Sequence, residues 1–344
     1  MRAVVVRAHG GPEVLNIEDV PELVPGPGEA VVRVRAVALN HLDLWIRQGI
    51  PGAPFHLPAI TGADVAGDVL ALGPGAGPEV PPVGAAVMVC PNLSCGVCRA
   101  CVSGADHLCP RYGILGEHAQ GGLAEAVKVP FANLVPKPAR LSYEEAASMS
   151  LTFLTAWHML VGRAEVRGGE TVLVQAAGSG VGVAGIQIAK FLGATVIATA
   201  GSAAKLEAAR ALGADHAFHS RDEDWAKKTK ELTGGRGVDV VFEHVGGETF
   251  ERSLRVLGRA GRLVTCGATT GIDAKVNLRH LFFKSQSILG STMGTKGEYH
   301  RLAALYAAGF FRPIVDRVLP LSEIREAHRA LEAREVFGKV VLVP

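Results

Sequence analysis

Cys95, Cys98, Cys101 and Cys109 lie within 15 residues, with gaps of two, two and seven. Four thiolates on one loop can close a tetrahedral shell, and zinc is the occupant that such a shell suits best. A full shell leaves no open position, so this zinc is expected to be structural, one per chain. An iron–sulfur cluster also uses C-x2-C-x2-C but takes its next cysteine after three residues. The absence of a secretory signal favours metal binding over disulfides. Cys90 and Cys266 are left as buried thiols.

A second constellation follows the apolar run Thr171–Gln175. The residues Ala176-Ala177-Gly178-Ser179-Gly180-Val181-Gly182-Val183-Ala184-Gly185 lead into a helical stretch through Lys190. Small residues there let the backbone turn tightly and approach a pyrophosphate, whose charge sits against the helix N-terminus. A literal G-x-G-x-x-G falls at 180, 182 and 185. Alone it is a weak signal, and a loop that merely packs is the bland alternative. A strand before it, a helix after it and a second strand at Thr195–Ala200 strengthen it. That second strand ends at Gly201-Ser202, where an NAD site commonly carries an acid for the ribose hydroxyls. No acid occurs between Thr195 and Ala204, and the next charge is Lys205. NADP(H) is therefore expected in preference to NAD(H), with Lys205 alternatively only solvating its helix.

The elements that must position these groups fall into two regions. The first 150 residues are β-rich, with Val31–Val37 alternating and Val4–Val6 a further strand, punctuated by Pro and Gly. Beyond residue 150, strands at Thr171–Gln175, Thr195–Ala200, Val238–Phe242, Arg262–Cys266 and Ser287–Gly290 alternate with helical stretches such as Ala203–Leu212. That alternation builds a parallel sheet covered on both faces. Helices are expected at Tyr299–Ala308 and Ser322–Ala333, the latter capped from Ser322, and a last strand at Lys339–Val343.

Composition limits the alternatives. The 344 residues are 48% hydrophobic and 20% charged with a net charge of +2, which excludes a disordered chain and gives no electrostatic support for nucleic acid or anionic membranes. Thr171–Ala189 carries no charge over 19 residues, yet its four glycines and polar residues read as strand, turn and helix rather than a membrane span. The start does not read as a signal peptide, so a cytoplasmic protein is expected.

Taken together, the chain resembles the medium-chain dehydrogenase/reductase superfamily over nearly its whole length, and is similar both to zinc alcohol dehydrogenases and to quinone oxidoreductases. The resemblance is carried by Asn40-His41-Leu42-Asp43, Gly62-Ala63-Asp64-Val65-Ala66-Gly67, the cysteine lobe, Leu151–Trp157, the phosphate loop and Phe337-Gly338-Lys339-Val340-Val341. In that family's register the loop is Ala177-x-Ser179-x-x-Gly182, two places from the literal match. The implied fold is α/β: a GroES-like β-rich catalytic domain at 1–150 and 293–344, with the zinc lobe at about 90–110, and a doubly wound Rossmann parallel sheet at 151–292. The implied site lies in the cleft, with Thr155 near the nicotinamide. The implied cofactor contacts are Ser179, Gly180, Val181, Gly182, Gly201, Ser202, Lys205 and Lys339. A homodimer or homotetramer acting on a small molecule is also implied.

The positions that match the catalytic zinc ligands of alcohol dehydrogenases are Asn40, Ala63 and Leu151, and the proton-relay hydroxyl falls on Leu42. Ala and Leu cannot ligate, and an Asn amide is a poor ligand. The catalytic zinc is therefore expected to be lost. Without it, reduction of a quinone or an α,β-unsaturated carbonyl asks less of the protein than alcohol oxidation. Asn40 is expected to orient the carbonyl oxygen and His41 to donate the proton. The alternatives are a zinc alcohol dehydrogenase with unusual ligands, drawn from His41, Asp43 and Asp64, and a non-catalytic NADP(H)-binding protein. Trp45 and Phe55 wall an apolar pocket or the core, and Glu243-His244 face a cofactor or merely end a strand.

Overall fold

The computed structural model describes residues 1–50, 55–222 and 224–344. The chain divides into two compact units, Met1–Leu151 with Thr295–Pro344, and Thr152–Gly294.

The first unit is organised by one long strand, Glu29–Ala38, in a seven-stranded sheet. Asp64–Leu72 runs antiparallel along it. On its other edge, Ala126–Pro130 covers the first half and Lys339–Val343 the second. Val315–Pro320 then pairs in parallel with Lys339–Val343. The alternating Val and Ala residues of these strands bury one continuous apolar cluster, to which Val4, Leu15 and Ile324 contribute. Gly338 is required where it stands. Its φ is +93°, and a Cβ would lie 2.9 Å from the Ile314 side chain and closer still to its carbonyl oxygen.

The register of this sheet builds the polar centre described below. Ala38 pairs with Asp64 and with Val341, and Leu39 N–H donates to Val340 O at 2.9 Å. Asn40, Asp64 and Lys339 thereby arrive at one end of the central strand. A one-residue slip would turn Asp64 and Lys339 to opposite faces.

The second unit is a six-stranded sheet whose pairings are all parallel. Its strands in chain order are Thr171–Val174, Thr195–Ala200, His216–His219, Val238–Glu243, Leu257–Thr265 and Ser287–Gly290. Numbered so, they stand in space as 3-2-1-4-5-6. The chain order reverses between strands one and four, which is where doubly wound sheets open a crevice for ligands.

The fifth strand begins earlier than the sequence pattern predicts, because a register irregularity opposite Val238–Val240 lets Leu257 join the sheet. The helix expected from Ser322 begins instead at Ile324. Ser322 lies in a 3-10 turn, Leu321–Glu323. The helix before it starts at Lys296, earlier than expected, because Thr295 and Glu298 form a capping box.

Candidate active site and metal lobe

Lys339, Asp64 and Asn40 form a closed polar cluster in the first unit. The ammonium donates to Asp64 Oδ2 at 2.9 Å and to Asn40 Oδ1 at 2.6 Å. Asn40 Nδ2 donates to the same Asp64 oxygen at 3.0 Å and, more weakly, to Ala38 O at 3.4 Å. The other Asp64 oxygen accepts the Leu151 backbone N–H at 2.7 Å. All three polar residues are buried, Asp64 completely. A buried carboxylate with an ammonium and two further donors is stable where an unpaired one is not.

This geometry bears on the sequence expectations. Both amide hydrogens of Asn40 already have protein acceptors, so the carbonyl-orienting role expected of it lacks an unshared donor. Lys339, expected at the cofactor, spends two of its N–H groups on Asp64 and Asn40. Asp43, in the helix His41–Gln48, accepts the backbone N–H groups of Asn40 at 2.7 Å and Gly62 at 2.8 Å. Burial pushes its carboxyl above the ordinary range, against those two hydrogen bonds and the charge of Lys339. The His41, Asp43 and Asp64 set is not assembled for a metal, since both carboxylates turn toward backbone N–H groups and Lys339. The His41 ring lies 6.4 Å from that of Trp45, and Phe55 meets His9 edge-on.

The four cysteines do come together. Their sulfur atoms all lie within 4.8 Å of one another, and they form the one His, Cys, Asp or Glu group of metal-binding geometry among the described residues. Separations of 3.5 Å (Cys98–Cys101), 3.8 Å (Cys98–Cys109) and 3.9 Å (Cys95–Cys101) match the edge of about 3.8 Å that a tetrahedron with zinc–sulfur bonds of about 2.3 Å requires. Backbone N–H groups of Val97 and Cys98 hold the Cys95 thiol down at about 5, ready to ligate as thiolate. The set fits zinc, and its fourfold thiolate shell leaves no place for a reacting oxygen. Of the two remaining thiols, Cys90 is buried, whereas Cys266 is only half-buried, contrary to expectation.

In the second unit the phosphate loop follows the register Ala177-x-Ser179-x-x-Gly182. Ser179 caps the helix Gly180–Phe191, its hydroxyl accepting Gly182 N–H at 2.9 Å. A Cβ on Gly182 would lie 2.9 Å from Ala177 Cα and nearer still to Ala176 O, so only glycine lets the helix start so close to the turn. Gly185, the last residue of the literal motif, packs instead on the Phe242 ring.

At the end of the second strand, Ser202 caps the next helix by accepting Lys205 N–H at 3.4 Å, and His219 meets Gly201 O at 3.0 Å. Thr155 donates its hydroxyl to Met293 Sδ at 3.5 Å.

Two residues that sequence pairs have separate fates. Glu243 turns inward, its carboxylate accepting the N–H groups of His244, Val245 and Gly246 and the hydroxyls of Thr249 and Ser253. His244 turns to the phosphate loop, with Nε2 2.9 Å from Gln175 O and 3.4 Å from Ser179 Oγ. The Met293 contact has no sequence signal, because it depends on how the end of the sixth strand passes Thr155.

Known proteins bear on this geometry. Residues 26–139 match the alcohol dehydrogenase GroES-like domain, and residues 180–308 match the zinc-binding dehydrogenase family. A quinone oxidoreductase of Pseudomonas aeruginosa is 34% identical, over 98% of this chain and 98% of its own. A solved NAD-dependent alcohol dehydrogenase superposes with a TM-score of 0.96 at 51% identity, covering 100% of both chains. A crotonyl-CoA carboxylase/reductase solved in complex with NADP has a TM-score of 0.91 at 26% identity, covering 100% of this chain and 94% of that one. With a GroES-like unit, a parallel dinucleotide-type sheet and these relatives, the chain belongs to the medium-chain dehydrogenase/reductase superfamily and is an oxidoreductase.

Proposed function

We propose that the protein reduces a quinone or an α,β-unsaturated carbonyl with NADPH, without a metal at the reacting oxygen. The observation that carries this reading is the Lys339–Asp64–Asn40 cluster, with Leu151 N–H bound to it: of the three positions that match metal ligands in alcohol dehydrogenases, Asn40 and Leu151 are hydrogen-bonded into it and the third, Ala63, offers no donor atom. Asn40 in this reading orients the ammonium rather than the substrate. Lys339 keeps a third N–H without a partner among the described residues, and its positive charge favours negative charge developing on a carbonyl oxygen. His41 supplies the proton that, with one hydride, completes a two-electron reduction. The four-thiolate lobe holds one structural zinc.

A bound nicotinamide dinucleotide supplies the hydride. Ser179, Gly180, Val181 and Gly182 would hold its pyrophosphate, and Gly201, Ser202 and Lys205 its adenosine ribose, with Thr155 at the nicotinamide. The lack of an acid near Gly201 supports the 2′-phosphate form. Ser202→Asp keeps a capping side chain and adds the missing charge; it is expected to shift preference toward NADH by about tenfold.

The assignment is tested by following NADPH and NADH oxidation with quinones, enones and aldehydes, and measuring zinc on the same sample. Quinone or enone turnover with one zinc per chain is expected. Alcohol oxidation with two zincs would establish the alcohol dehydrogenase reading instead, and NADPH binding without turnover across the panel would mark a binding protein.

We further propose a homo-oligomer in the cytoplasm. No strand among the described residues pairs with the outer side of Ser287–Gly290, where Arg163 Nε donates to Gly290 O, and Leu278, Phe282 and Phe283 just before it are about two-thirds exposed (68%, 65% and 66%). A second copy of this chain would cover both, and Phe282→Ser with Phe283→Ser is expected to yield monomers by light scattering. Among the described residues, no helix is long and apolar enough to cross a membrane.

A further inference from the structure

His244 stands one residue beyond the fourth strand, at the point where the strand order reverses. Its ring is buried, 8% exposed, and is fixed by the phosphate loop. Nε2 lies 2.9 Å from the Gln175 carbonyl oxygen, which only accepts, so Nε2 carries the hydrogen and donates it. Nδ1 is then left as a lone-pair acceptor. It has no partner among the described residues and is not sealed from solvent. Burial pushes the ring below the usual histidine range, which keeps that acceptor unprotonated.

A bare acceptor at this place has a definite complement. The pyrophosphate is held at the start of the helix Gly180–Phe191, and the adenosine half lies toward the second strand, where Gly201 and Ser202 stand. The other half of the dinucleotide must cross the reversal to the side of the fourth strand. The groups it carries there that can donate are the ribose hydroxyls and, beyond them, the nicotinamide carboxamide; the ribose follows directly on the pyrophosphate that the same loop holds.

We propose that His244 Nδ1 accepts a hydrogen bond from a hydroxyl of the ribose on the nicotinamide side. This rests on the dinucleotide reading above and extends it to a residue and a ligand group. His244 is thus both a contact for the ribose and, through Gln175 and Ser179, a tie between that contact and the phosphate loop.

The test is fluorescence titration of the full chain with NADPH and with ADP, which reaches the phosphate loop but has no second ribose. His244→Phe is expected to weaken NADPH about tenfold more than it weakens ADP, whose loss reports the loop contact alone. On the unaltered protein, NADPH lacking the 2′- or the 3′-hydroxyl of the nicotinamide ribose should show the same loss for one of the two, which needs no variant to fold. Unchanged NADPH affinity in both arms would overturn the proposal. An equal loss for NADPH and ADP would also overturn it, reducing His244 to a prop for the loop. Failure of the unaltered protein to bind NADPH, NADH or ADP would instead remove the dinucleotide reading itself.

Discussion

Lys339 and Asp64, 275 residues apart in sequence, meet as a buried ion pair at 2.9 Å, and the Asn40 amide bridges them. Burying two charges is costly, and this pair is retained although an apolar pair of similar volume is often no less stable. Lys339→Met leaves Asp64 as an unpaired buried anion and is expected to cost about 3–5 kcal/mol in denaturant unfolding. Lys339→Met with Asp64→Leu should regain most of that stability while enone or quinone reduction stays at least tenfold depressed. Full activity in the double variant would make the cluster purely architectural.

Gly182 admits no side chain. Gly182→Ala forces a methyl against Ala177 Cα and Ala176 O, so the loop must move away from the helix start. A loss of NADPH affinity of at least tenfold is expected by titration, because the backbone N–H groups would no longer converge.

Removing zinc should separate stability from chemistry. Chelation, or Cys101→Ser, is expected to abolish the bound zinc and lower the melting temperature by several degrees, as loss of a cross-link of this kind does. Turnover measured well below the new transition should persist, since the lobe offers no open coordination position. Zinc content and initial rates on one sample decide it.

His328 gives the first unit an acid limit. The ring is fully buried, neither nitrogen has a hydrogen-bond partner among the described residues, and burial together with the nearby Arg47 guanidinium lowers its value to about 3. In the unfolded chain it takes a proton near 6.5, so below that pH the unfolded state binds protons that the folded state refuses. Stability is unaffected above about 6.5 and falls by up to about 1.4 kcal/mol per pH unit between there and about 3. His328→Phe should flatten this slope in urea melts at pH 4–7.

Much of the architecture is legible in sequence. The strand Thr195–Ala200 stands where its apolar run places it, because buried parallel strands are short, uninterrupted and bounded by turns; Ser287–Gly290 also stands where expected, although it lies largely exposed at the sheet edge. The cysteine spacing likewise carries its own geometry. Less legible is what Asn40 and Lys339 do. Their occupation depends on which residues of three distant strands stand in register, and no local pattern encodes that pairing. Ser322 misleads for a related reason: the turn Leu321–Glu323 takes the residues that look like a cap, and the helix starts after it.

The long strand Glu29–Ala38 acquires its last neighbour only when Lys339–Val343 has been made. On a translating ribosome the first unit must therefore wait with one strand edge open, while Thr152–Gly294, a single uninterrupted stretch, is free to fold during the pause. Truncating the final six residues should thus cripple the early-made half of the protein and spare the middle.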